Sequence, residues 1–188
     1  MIGKKEQFMT PEDILTFWYT PPMPQHWFAS TPAIDADIRA RFGTLWEQAA
    51  AGKWDHWQAT PEGCLALCIV LDQFPLNMFR GKAHSFSTEQ QAVAVTKHAV
   101  ARGFDQRLPI ERRSFLYMPL MHSEHLGDQD ESVRLFEAAG LEANARFAHH
   151  HREIVQYFGR FPHRNAALGR ESTAAELAYL ASKDAFTG

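Results

Sequence analysis

The chain has 188 residues, enough for one domain whose core needs neither a disulfide nor a metal. Its formal charge of −3 lacks the basic excess of a general nucleic-acid binder, and its longest apolar run, Cys64 to Leu71, is far too short to cross a bilayer. Met1 to Thr10 holds no continuous apolar stretch of the kind a secretory signal needs, so a soluble, cytoplasmic protein is expected.

Helix signals are frequent and strand signals scarce. Thr10-Pro11-Glu12-Asp13 is a helix start: a capping hydroxyl, proline in the first turn, and acids at the positive end of the dipole. Ile14, Leu15, Phe17 and Trp18 give that helix its apolar stripe, and the run Pro21-Pro22-Met23-Pro24 stops it. Thr31-Pro32 opens a second helix whose Ile34, Ile38, Phe42, Leu45 and Trp46 share one face, with Gly52 as its stop. Thr60-Pro61-Glu62 repeats the start signal before Cys64 to Leu71, which is apolar nearly all round and is predicted to be the central buried helix. Ser87 with Gln90 predicts a start for a helix ending near Gly103. Pro109 predicts another start, and Pro119 a kink or break in that helix. Glu131 to Ala139 and Leu141 to Phe158 are the next two helices, closed by Gly140 and Gly159. Thr173 and Glu176 form a capping box for the last.

Short helices joined by short turns predict an all-α array of antiparallel hairpins in a single domain, residues 1–188. Two helix ends, Ala50-Ala51-Gly52-Lys53-Trp54-Asp55 and Ala101-Arg102-Gly103-Phe104-Asp105, share a pattern like that of tetratricopeptide helices, although the spacing is irregular.

Two polar loops stand out against this apolar, aromatic-rich background. One runs through Asp72-Gln73-Phe74-Pro75, Asn77 and Arg80-Gly81. The other runs from Phe158 through Arg160, Phe161-Pro162, His163, Arg164 and Asn165 to Arg170. In each, a Phe-Pro step ends a helix, an Asn follows, an Arg sits beside a Gly, and a Ser-Thr pair opens the next helix. The echo predicts that the loops lie side by side and share a site. Asp72 at the end of the most apolar helix needs a cation or hydrogen bonds, and Arg80, Arg160 or Arg164 is the expected partner. The plain alternative is a structural ion pair.

Clustered arginines beside helix ends favour a carboxylate or phosphate, unless they cap helix carbonyls and pair with acids of the chain itself. His122, Glu124 and His125 follow Pro119. His122 and Glu124 converge only if the segment is irregular there, because residues two apart on a helix diverge. His149, His150 and His151 fan out by about 100° each, so they do not chelate jointly, and His151 is the one on the apolar side. Cys64 and Cys68 share a helix face with no histidine at ligand spacing. No metal and no cofactor are expected. The chain has no GxSxG, Walker or dinucleotide-binding motif.

These residues resemble the bacterial family catalogued as domain of unknown function 924. The likeness rests on Leu71 through Pro75, Asn77 and Phe79-Arg80-Gly81, then Tyr117, Pro119, His122 to Glu124 and Asp128-Gln129. It continues in His151-Arg152, Phe158 through Asn165, Leu168-Gly169-Arg170 and Ser172-Thr173, takes in Asp13 to Trp18 with Trp27-Phe28 near the start, and covers nearly the whole chain. His125 departs from it, standing where an acidic residue is expected. The resemblance implies a tetratricopeptide-like helical fold and names no activity.

Two functions follow. The first is binding of a small anionic molecule or a peptide carboxylate by a pocket of Asp72, Asn77, Arg80, His122, Glu124, His151, Arg160, His163, Arg164 and Asn165. The second is a metal-independent hydrolase- or lyase-like enzyme working through His122 or His163 with Glu124 or Asp72. Neither implies a nucleic-acid or membrane partner.

Overall fold

The structure is a computed structural model that describes residues 9–188; residues 1–8 of the stretch read for a secretory signal lie outside it. It is all-α, and no strand occurs among the described residues. Threonine followed by proline starts three helices: α1 (Pro11–Tyr19), α2 (Pro32–Ala50) and α3 (Pro61–Cys68). Each threonine hydroxyl accepts the backbone N–H three residues on, which satisfies one of the otherwise unpaired amides of the first turn.

The α3 segment does not stop at the Phe74-Pro75 step, as the sequence suggested. It passes through one π-helical turn (Ile69–Gln73) into α4 (Phe74–Met78), making a single rod. The reason lies in Pro75, which has no N–H to offer the carbonyl of Leu71 four residues back. The backbone widens, the Phe74 N–H donates to Ile69, and the Leu71 carbonyl accepts from the Thr88 hydroxyl at 2.5 Å. Thr88 also accepts the Trp46 indole N–H at 3.1 Å. Its hydroxyl is therefore not a helix cap, and α5 (Glu89–Ala101) starts without the Ser87–Gln90 box expected of it.

α6 (Ile110–His122) carries Pro119 inside it and runs on to His122 rather than breaking. α7 (Leu126–Ala138) begins five residues before the predicted start, and α8 (Glu142–Phe158) matches its prediction within one residue. α9 (Ala174–Leu180) opens with the expected Thr173–Glu176 capping box. The α2, α5 and α7 ends close alike. Gly52, Gly103 and Gly140 take positive φ, and the glycine and the residue after it each donate to a carbonyl of the last turn.

The rod is the centre of the molecule. Cys64 to Leu71 are all 3 % exposed or less, as their apolar composition predicted. α3 packs against α1, α5 and α6, α4 packs against α2, and α6, α7 and α8 stack in succession. Phe74 is sealed among Phe17, Trp18 and Phe42. A smaller apolar cluster of Ile154, Val155 and Phe161, with Phe158, Tyr179 and Phe186, lies apart from the main core. No helix among the described residues is long and apolar enough to span a membrane.

Candidate functional site

Two features of the fold bring histidine and carboxylate together where the two apolar clusters approach. The π turn turns Asp72 inward, leaving it 5 % exposed. α6 ends at His122 because Ser123 is extended (φ −71°, ψ 140°). Side chains take up carbonyls released there: Gln129, itself fully buried, donates its amide to Met121 at 2.7 Å and Ser123 at 2.6 Å, and Arg164 donates to His122 at 2.6 Å. The last residue of the helix is thus fixed from three sides.

His122 Nδ1 lies 2.9 Å from both carboxylate oxygens of Asp72, and the Gln73 amide donates to Asp72 Oδ2 at 2.6 Å. A carboxylate only accepts, so Nδ1 carries a proton, and Nε2 is the ring nitrogen left outside that contact. Nε2 has no hydrogen-bond partner among the described residues, and the side chain is 18 % exposed. The expectation that Asp72 would meet Arg80, Arg160 or Arg164 is not met; its partner is His122, in the gap between two helix ends.

Each of those arginines has a different acid, none of which the sequence suggested as its partner. Arg164, 6 % exposed, pairs with Glu89 at 2.6 Å, and its guanidinium lies between the Phe86 ring (4.4 Å) and the Phe161 ring (4.7 Å). Arg160 grips buried Glu176 with two bonds, 2.7 and 2.9 Å, and holds its carboxyl down at about 2. Arg170 grips Glu124 with bonds of 2.7 and 2.9 Å, and also donates to the Phe161 carbonyl and to Asn165 Oδ1. Arg80, exposed, donates to Asp35 at 2.9 and 3.2 Å beside the Asn77 amide at 2.8 Å.

The ten candidate residues therefore divide. Asn77 and Arg80 join Asp35 of α2 and make no hydrogen bond to the histidine group. Arg160 and Asn165, with Arg170 and Ser172, tie the Pro162–Arg164 turn to the segment leading into α9. Glu124 accepts Arg170 and the Phe161 N–H at 2.8 Å; burial alone would raise its carboxyl, but these donors hold it below the ordinary range. Three of its about four acceptor sites are thus taken within the protein. Its convergence with His122 fails, since the extended Ser123 sends it toward the second loop.

Asp72, His122, His151, His163 and Arg164 remain together. The His122 and His151 rings are 6.5 Å apart. His151, the buried member of its triplet, donates Nδ1–H to the Phe147 carbonyl at 2.8 Å, and burial next to His122 pushes its pKa down to about 3. Burial and the Arg164 charge push His163 down to about 4. Both rings are neutral near pH 7, and His163 Nδ1 is buried without a hydrogen-bond partner among the described residues. His125 is exposed; its backbone N–H donates to Ser123 and its carbonyl accepts from Asp128 and Gln129, while its ring makes no hydrogen bond among the described residues. Among the described residues no group of three or more His, Cys, Asp or Glu is placed to hold a metal ion.

The sequence reading missed Glu89, Glu176 and Asp35, the acids that neutralise the arginines, and Phe186, which lies on two of the histidines. Glu176 had a signal in its capping box, which placed it next to the arginine loop. Glu89 had one in its position at a helix start, where an acid is expected. Asp35 and Phe186 had none.

Among curated proteins none matches the chain. A solved structure of a protein of unknown function from Agrobacterium tumefaciens is similar to it throughout, with 38% sequence identity, a TM-score of 0.86, and 91% of this chain and 96% of that chain covered. The family model described as bacterial protein of unknown function (DUF924) matches residues 14–184, the stretch that holds the rod, the histidines and every arginine pair above, and the chain belongs to that family.

Proposed function

We propose that this protein is a metal-independent enzyme of hydrolase- or lyase-like chemistry in which His122 moves the proton. The observation that carries the reading is the pair of 2.9 Å contacts from Asp72 to His122 Nδ1, which leave Nε2 outside them on a side chain partly open to solvent. In that arrangement Nε2 takes a proton from a substrate C–H or from an attacking water, and Asp72 balances the imidazolium that forms. The same proton is then returned to the leaving group. Gln73 and the Arg164–Glu89 pair act on this group only by positioning it.

A panel of chromogenic esters, amides, phosphoesters and elimination substrates tests the proposal, with Asp72→Asn and His122→Gln as controls. An amide at position 72 offers N–H to Nδ1 and forces the other tautomer, so turnover should fall by about a hundredfold or more in both variants while the fold persists. Turnover that survives His122→Gln would sink the idea.

A second reading, binding of a small anion or a peptide carboxylate, is favoured by one observation: Arg164 Nε is buried without a hydrogen-bond partner among the described residues. Phosphate, sulfate and simple carboxylates should then raise the melting temperature of the parent and not of Arg164→Met or, if that variant unfolds, of Arg164→Lys. The other arginines argue against a larger anion site, because each already holds a carboxylate. We also read the succession α5 to α8 as tetratricopeptide-like hairpins in a cytoplasmic bacterial protein.

A further inference from the structure

Phe186 takes no part in either reading, yet it covers the histidines. After α9 the chain turns back through Ser182, and the Phe186 ring comes to lie 4.4 Å from His151 and 4.9 Å from His163, centroid to centroid. Phe161 completes the slot, with its ring 5.5 Å from His151 and 5.6 Å from His163. Gly188 lies against the same imidazole: a β-carbon at that position would stand 3.3 Å from His163 Cδ2 and 3.5 Å from Nε2. Among the described residues, the segment beyond Lys183 makes two hydrogen bonds, Asp184 N–H to Ser182 Oγ at 3.3 Å and Phe186 N–H to Tyr179 Oη at 2.8 Å. So slight a set of attachments allows the segment to lift while the helices stay folded.

The slot is flat-walled and uncharged, which suits an aromatic ring. A plain phenyl ring nevertheless leaves His163 Nδ1 buried and unpaired, a state that costs free energy whenever the slot is filled by Phe186. An aromatic ring bearing a hydroxyl would fill the same space and satisfy that nitrogen. The slot also adjoins the proposed base, since its His151 wall faces the His122 ring.

We propose that the slot between His151, Phe161 and His163 receives a hydroxyaryl group of the substrate, and that residues 184–188 form a strap whose Phe186 occupies it until the substrate displaces it. The substrate class rests on the acid–base reading of His122, but the slot and the strap are testable without turnover.

The test is carbethoxylation of the histidines by diethyl pyrocarbonate, followed by mass spectrometry, in the full chain, in Phe186→Ala and in a chain ending at Lys183. His163 and His151 should be modified about tenfold faster in both variants, with exposed His125 unchanged as the internal reference. The probe 4-methylphenol should slow modification at His163 back toward the parent rate and leave His125 alone; toluene should protect less. Tyr179→Phe removes only the hydrogen bond to Phe186 and should accelerate modification to a smaller degree, which decides the matter if the other two variants unfold. Equal rates in parent and variants would overturn the strap. Faster modification without protection by 4-methylphenol would overturn the hydroxyaryl slot. A dead His122→Gln enzyme leaves both outcomes untouched, and loss of the strap says nothing against His122.

Discussion

Mild acid should destabilise this protein, and two buried histidines set the size of the effect. His151 and His163 are held at about 3 and about 4 by burial, against 6.5 for a free imidazole. A histidine whose folded form resists protonation binds its proton more readily unfolded. Its contribution is therefore complete above the ordinary histidine range and is lost as the pH falls toward the folded value. Between about pH 7.5 and about pH 5.5 an unfolded histidine goes from roughly one-tenth to roughly nine-tenths protonated while both folded rings stay neutral, which costs about 1.4 kcal/mol per ring and about 3 kcal/mol for the two. Glu176 enters only below the ordinary glutamate range, whereas Glu89, raised by burial, takes up its proton above that range in the folded state and works in the opposite direction. Urea melts across that interval read the loss directly. His151→Leu keeps the apolar contacts with Phe161 and Phe186 and should remove about half of the slope. Stability that is flat across the interval, or a slope unchanged by His151→Leu, would refute the assignment of neutral buried rings.

Three further outcomes follow from the packing. Thr88→Val, nearly isosteric, leaves both the Leu71 carbonyl and the Trp46 indole N–H buried and unpaired, so denaturant melts should show a loss of about 2–5 kcal/mol. Leu67→Ala or Ile69→Ala in the central rod should cost about 2–5 kcal/mol, and a cost near zero in the same assay would contradict its burial. Glu124→Gln strips Arg170 of its carboxylate and should cost about 1–3 kcal/mol, discounted because both side chains are about a quarter exposed; recovery in Glu124→Gln/Arg170→Met measures how much of that is the stranded charge.

Local chemistry made the helices legible. The Thr-Pro starts, the glycine stops and the apolar run at Cys64 each have a cause within four residues, so sequence spacing alone reports them. The failures are where a partner distant in sequence decides the backbone. Pro75 does not end its helix because Thr88, on another element, takes the carbonyl that the proline leaves unpaired. A rule that reads proline as a stop has no access to that hydroxyl.

The candidate site was legible as residue types and not as pairings, and the reason is electrostatic. Four arginines and a histidine near two loops have several acids within reach of a folded chain, and which acid each one meets depends on the crossing of α2, α5 and the segment before α9. The sequence reading assigned Asp72 to an arginine because it counted charges. The fold instead gives the arginines Asp35, Glu89, Glu124 and Glu176, and that distribution is what leaves Asp72 for His122. Were Glu89 absent, Arg164 would be a buried cation without its carboxylate, drawn toward Asp72 as the next acid in the cluster. The structural ion pairs and the proposed proton-transfer group are therefore one arrangement: neutralising each guanidinium elsewhere keeps a buried carboxylate available to hold an imidazole in a single tautomer.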